Sequence, residues 1–307
     1  MPPKQAAFDS SYDFSQVFKD LDLSIVTKQN YIDRMRALEK MFEADLFGII
    51  KDASKSIKHL KAAYAVPSSR KAYLSLVLSL FRHLPELKAQ LPKQFALWFE
   101  AFKEVDKAIE ERYKTNEPSD RQLEGYVPYD EIVEKRDSLQ KGSVERLLLG
   151  MYTHIYPLRG DFNMVRLYKT VPPKPEANYI HMARNKCKLV LSEYKTASTH
   201  GVFEKELPSA LCAEIHESLE NMPRNYLFVA NNRLPFDKPR SYVAFANRVF
   251  AKLFGKPLTI SLIRHSFIST LDFNTLTIAE KEAIAAEMRH TTRLQDQYRL
   301  IFRDKPT

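Results

Sequence analysis

ISLIRHSFIST, residues 260–270, decides how the rest of this chain is read. Ile260, Ile263, Phe267 and Leu271 recur at near-helical spacing and make an apolar stripe. Thr259 stands in front as an N-cap. At about 100° per residue, Arg264 falls roughly 60° from the centre of that stripe, on its shoulder. An arginine there keeps its charge and needs an anionic partner. That partner is either a carboxylate of this protein or a phosphate brought from outside.

The 307 residues suggest two domains. Glycine is rare (7) and proline is not (17), which predicts helices separated by proline punctuation. No run of about 18 apolar residues occurs, so no membrane span is expected. The start, MPPKQAAFDSSYDF, has no apolar signal-peptide core, and residues 1–14 read as a disordered tail. Cys187 and Cys212 are far apart, so neither a disulfide nor a zinc site is expected. An intracellular protein follows, in the cytoplasm or nucleus of its host cell and not secreted. With 47 Lys and Arg against 38 Asp and Glu, the formal charge is +9, which points to a polyanion, nucleic acid above all.

Residues 15–112 read as a helical domain. Ile32, Met35, Leu38, Phe42 and Leu46 give a helical pattern over 25–47. SSRKAYLSLVLSLFRHLPEL, residues 68–87, is stronger: Tyr73, Val77, Leu80 and Leu84 make one row, Leu74, Leu78 and Phe81 another. So wide an apolar face belongs to a helix buried among others, with Ser68 or Ser69 as cap and Pro85 as stop. Arg70, Lys71 and Arg82 sit at its ends as candidate DNA contacts. Residues 113–127 turn polar, with Pro118 and Gly125, and read as a linker. From 128 to 307 a second, mixed domain follows. SVERLLLGMYTHIY opens a helix at Ser143, and NYIHMA, KCKLVLSEY and VFEKELP predict a small antiparallel sheet with a polar turn. The fold class is mainly α with that one small sheet, α+β.

Five polar residues sit oddly in this pattern: Arg159 in YPLRGDF, Lys195 in the β-turn, Arg264, and His290 and Tyr298 in MRHTTRLQDQY. Together they suit one species, a pentavalent phosphoryl transition state. Guanidinium groups match its non-bridging oxygens in bidentate fashion. A lysine in a cationic pocket protonates a leaving alkoxide. A tyrosine supplies an oxygen nucleophile and a covalent intermediate. No metal or other cofactor is called for, and no acidic cluster is present to hold two metal ions.

The order of these residues resembles the tyrosine recombinases, or phage-type integrases. LIRHSFIST (262–270) is the nearest match. YPLRGDF supplies the first arginine, EYKT followed by a glycine and ELP resembles the lysine hairpin, and MRHTTRLQDQY resembles the terminal histidine–tyrosine box. The resemblance covers about 127–303 and implies a tyrosine-recombinase-like catalytic domain behind a helical core-binding domain, of a mobile-element or large-DNA-virus type. It further implies that Tyr298 attacks a DNA phosphodiester to give a 3′-phosphotyrosine. Arg159, Arg264 and His290 would hold the phosphate and Lys195 would protonate the leaving 5′-oxygen, with no ATP.

The chain departs from the family's pattern in three places. Ser261 stands where a histidine is usual, Arg289 where a glycine is usual, and the gap from His290 to Tyr298 is one residue short. Ser261 still offers a hydrogen bond to a phosphate, and His265, about 100° around the helix from Arg264, is no substitute for the missing histidine. The implied partners are double-stranded DNA and further copies of the chain in a tetrameric synapse, starting from a monomer in solution. Two alternatives compete with a site-specific recombinase: a type IB topoisomerase-like enzyme, and a catalytically weakened DNA-binding descendant.

Overall fold

The computed structural model describes residues 8–184 and 186–302, and the chain divides into two units, Met1–Thr115 and Asn116–Thr307. The first is helical: α1 (Ser15–Asp20), α2 (Ile25–Phe42), α3 (Leu46–Lys51), α4 (Ala53–Ala63), α5 (Pro67–His83), α6 (Pro85–Gln90) and α7 (Pro92–Thr115). Each of α5, α6 and α7 begins on a proline, whose missing N–H costs nothing in a first turn. Ser68 and Ser69 therefore lie inside α5 rather than capping it. Glu43, at φ 50°, ends α2, so the 25–47 pattern is broken into two helices. Leu74, Leu76, Val77, Leu80 and Phe81 of α5 are buried, and α5 packs mainly against α7. Trp98 of α7 is wholly buried, and its Nε1–H donates to the Ile50 carbonyl at 3.0 Å, so its ring enters the core without an unpaired donor.

The expected disordered tail is corrected for its described part. Residues 1–7 lie outside the described residues. Phe14 is only 3% exposed, the rings of Phe8, Tyr12 and Phe14 pack on one another, and the Phe8 N–H donates to Gln90 Oε1 at 2.9 Å. Three aromatic rings in seven residues bury enough apolar surface to order a short segment.

The second unit comprises α8 (Asp120–Gly125), α9 (Tyr129–Ser138), α10 (Val144–Thr153), β1 (Arg166–Tyr168), β2 (Asn178–Ala183), β3 (Lys186–Leu191), α11 (Ala197–His200), β4 (Phe203–Glu206), α12 (Ser209–Asn221), α13 (Pro239–Phe254), α14 (Ile260–Ser269), α15 (Ile278–Glu287) and α16 (Thr292–Tyr298). Helix α8 falls within the stretch read as a linker. Ser119 and Gln122 make a full capping box there, enough to start a helix in a polar sequence. The sheet order is β1-β2-β3-β4. β2, β3 and β4 pair antiparallel, with Ile180 opposite Leu189 and Leu191 opposite Phe203. β1 joins β2 in parallel, which makes the sheet mixed; three residues are too few for a period-2 signal in the sequence.

The cysteine reading is also corrected. Cys187 of β3 and Cys212 of α12 are disulfide-bonded, their Cα atoms 5.5 Å apart. Sequence separation said nothing about this, because α12 packs on β3. Among the described residues these sulfurs and His216 form the one group of three metal-capable side chains, with ligand atoms within 4.8 Å. With both sulfurs oxidised, only the imidazole is left to ligate. No helix among the described residues is long and apolar enough to cross a membrane.

Candidate active site

Thr259 caps α14 as its sequence predicts, its Oγ1 accepting the Leu262 N–H at 3.1 Å. Ile260, Leu262, Ile263 and Ile268 are buried, and so is Arg264, at 1% exposure. Its Nη1 donates to the Pro157 carbonyl, with the Met288 carbonyl at 3.4 Å, and its Nη2 lies 3.4 Å from His290 Nδ1. Arg264 makes no ion pair among the described residues, and its buried Nε has no hydrogen-bond partner. Burial holds this guanidinium below the usual arginine range; the nearby Tyr298 opposes that, and the Arg159 charge adds to it. Carbonyl oxygens thus aim Arg264 without neutralising it.

Arg159 follows α10 and donates to the Arg289 carbonyl at 2.7 Å. Both arginines therefore hang on the turn 288–290 that precedes α16. Arg289 sits at φ 53°, in the left-handed region, which is where a glycine is at ease. A side chain there costs about 1–2 kcal/mol. The Arg289 guanidinium lies 4.3 Å from the Phe203 ring centroid, a contact that offsets part of that cost. Gly160, next to Arg159, lies so near α13 that a Cβ would meet Val243 Cγ2 at 2.2 Å. This close approach sets where Arg159 enters the site.

His290 is 4% exposed. Arginine only donates, so Nδ1 accepts from Arg264 and the ring proton sits on Nε2. That Nε2–H is buried without a partner. Burial first, then the charges of Arg264 and Arg159, push the imidazole down to about 3, so near pH 7 it is a neutral donor. Tyr298 closes the group from the end of α16. Its ring centroid is 5.3 Å from the Arg264 guanidinium and 5.8 Å, edge to face, from the His290 ring. An eight-residue step from His290 is enough, because Thr291 caps α16 at once.

Lys195 is exposed in the turn after β3. Asn178 and Asp161 anchor that turn. Asn178, 5% exposed, accepts the Ser192 and Glu193 N–H groups at 2.9 and 3.0 Å and donates to the Glu193 carbonyl at 2.7 Å. Asp161 Oδ1 accepts the Lys195 N–H at 3.3 Å. Burial raises the Asp161 carboxyl, against the Lys195 hydrogen bond and the charges of Arg159, Arg264 and Lys195. Neither anchor was singled out from sequence. The signal available was Asp161 two residues after Arg159, and it gains meaning only when the other cations converge on it. Ser261 is exposed and lines a cavity of ≈ 380 Å³ with Arg121, Gln122, Asn247 and His265; Arg159, His290 and Tyr298 do not line it. In the first unit, Arg70 donates to the Tyr64 and Ala65 carbonyls and Lys71 pairs with Asp106, whereas Arg82 is exposed.

No protein-family profile and no curated protein sequence matches the chain. Among solved structures, a XerA recombinase aligns over 94% of this chain and 92% of its own, at 14% identity and a TM-score of 0.41. A lambda integrase dimer bound to a COC′ core site aligns over 96% of both chains, at 13% identity and a TM-score of 0.60. On the second of these likenesses, which spans both units, the chain has the fold of the tyrosine recombinases.

Proposed function

We propose that this chain is a DNA strand transferase, a site-specific recombinase or integrase that cleaves and rejoins DNA through a 3′-phosphotyrosine. The observation that carries the reading is the convergence of Arg264, a neutral histidine donor and a tyrosine ring, with a second arginine, Arg159, bonded to the 288–290 turn that bears the histidine. Tyr298 Oη attacks the phosphorus, its phenolic proton passing to water, and the bond to the 5′-oxygen breaks. Arg159, Arg264 and the His290 Nε2–H hold the non-bridging oxygens as charge builds on them. Lys195, on its anchored turn, delivers the proton to the departing 5′-oxygen. The reverse attack by a 5′-hydroxyl rejoins the strand, so neither ATP nor a metal enters the scheme. Double-stranded DNA is the substrate, in keeping with the +9 charge and with the DNA-bound lambda integrase that shares the fold. Several copies would assemble on it.

The test is a nicked suicide duplex carrying the ends of the chain's own genetic element, run on a denaturing gel. A covalent protein–DNA band that vanishes in Tyr298→Phe supports the reading. Absence of a band on cognate duplexes, with salt-sensitive binding intact, supports a DNA-binding descendant instead; Ser261 in place of the usual histidine, turned toward another cavity, favours that second reading. Sequence-independent relaxation of supercoils would favour a topoisomerase.

A further inference from the structure

His265 is a residue of α14 that the scheme above leaves idle, yet it touches the nucleophile twice. Its ring stacks on the Tyr298 ring at 4.4 Å between centroids and 17° between planes. Its Nδ1 lies 2.6 Å from the Tyr298 carbonyl oxygen. A carbonyl only accepts, so Nδ1 carries the proton. The other nitrogen, Nε2, is 3.4 Å from the Gln122 side-chain nitrogen. The amide of Gln122 is itself oriented: Oε1 accepts from the Ser119 N–H and Oγ–H at 2.9 Å each, which turns the NH₂ end toward His265. Gln122 therefore donates to Nε2, and the capping box of α8 selects the Nδ1–H tautomer that the Tyr298 carbonyl needs.

A second link lies one turn further along α14. Ser269 Oγ donates to the His265 carbonyl at 2.8 Å and accepts the Leu300 N–H at 2.9 Å. Helix α14 so grips the chain on both sides of Arg299, at the point where α16 gives way to extended backbone. Gly125 at the end of α8 makes the approach possible, since a Cβ there would meet the Pro257 carbonyl oxygen at 2.6 Å and Leu262 Cδ1 at 2.7 Å.

We propose that His265 is a positioning residue that seats Tyr298 in the active site of its own chain. The ring stack sets the plane of the phenol, and the Nδ1–H bond sets the height of the backbone that carries it. Resting on the DNA-cleavage reading, the inference gives the site a nucleophile docked in cis before DNA arrives. It also gives the short helix α8 a task, that of holding the histidine tautomer.

His265→Phe keeps a flat ring and removes the donor; His265→Asn keeps a donor near the Nδ1 position and removes the stack. Each is compared with wild type by the single-turnover rate of covalent complex formation, the Kd for an uncleavable duplex, and peptide-level hydrogen exchange over 298–301. We expect His265→Phe to cleave about tenfold more slowly or worse, with Kd within about twofold and exchange over 298–301 accelerated. His265→Asn should recover part of the rate. A His265→Phe enzyme that cleaves within twofold of wild type, or that slows with exchange unchanged, overturns the proposal. Should His265→Phe fail to fold, Gln122→Leu probes the same link, with the same expected and overturning results. If wild type forms no covalent complex, the cleavage reading fails, and the exchange comparison alone decides whether His265 holds the Tyr298 segment.

Discussion

Lowering the pH from 8 to 5 should destabilise the second unit through His290. The sign follows from the direction of the shift. An unfolded histidine titrates near 6.5, and the folded ring is held down to about 3 by burial and by Arg264 and Arg159. Above 6.5 both states are neutral and the group contributes no pH dependence. Between 6.5 and 3 the unfolded chain takes up a proton that the folded chain refuses, so stability falls as the pH falls. Integrated to pH 5, the loss is about 2 kcal/mol at full strength, or about 1 kcal/mol once solvent screening of the two arginines is allowed for. For a unit of this size, each kcal/mol moves Tm by about 2–4 °C. The assay is thermal unfolding at pH 8, 6.5 and 5, on wild type and on His290→Gln, whose amide offers a donor that does not titrate. The variant should lose about 2–4 °C less than wild type between pH 8 and 5. Equal losses would mean that His290 is protonated in the folded chain and would refute the neutral-donor assignment.

Two further perturbations test how the site is supported. Glu214, 5% exposed, accepts from Arg146 Nε at 3.0 Å and His154 Nε2 at 3.3 Å; Glu214→Gln leaves the half-buried Arg146 with only the exposed Asp137 carboxylate, at 3.6 Å, and should cost about 3 kcal/mol in urea unfolding, and a cost under 1 would show that Asp137 and the carbonyls around Arg146 suffice. Gly160→Ala should cost about 1–3 kcal/mol and slow cleavage by displacing Arg159 from α13, and Val243→Ala in the same chain should restore both; failure of that rescue would place the strain elsewhere.

Much of the second unit was legible because its signals are local. Thr259 and Ser143 cap α14 and α10 as read, since a hydroxyl three residues ahead of an orphan N–H needs no distant partner. The residues of the site were named from their order along the chain. Their supports were not. Asn178 looks like any polar strand residue until the turn 192–193 is folded over it. α8 looked like linker because its capping box is short and its stretch polar. Cys187 and Cys212 looked unrelated because the contact of β3 with α12 is non-local.

The sequence by itself determined where α10 and α14 begin, which face of α14 is apolar, and that Arg264 and His265 leave that helix about 100° apart. Periodicity and capping are properties of neighbouring residues, so they are written in the chain. What occupies those two directions is decided only by tertiary structure. Arg264 is enclosed by the carbonyls of Pro157 and Met288 and by His290, while His265 is turned to the backbone of Tyr298 and to Gln122. Whether a buried arginine meets a carboxylate or keeps its charge for a ligand depends on groups that lie, for Arg264, between 24 and 107 residues away in the chain, and no local pattern encodes them.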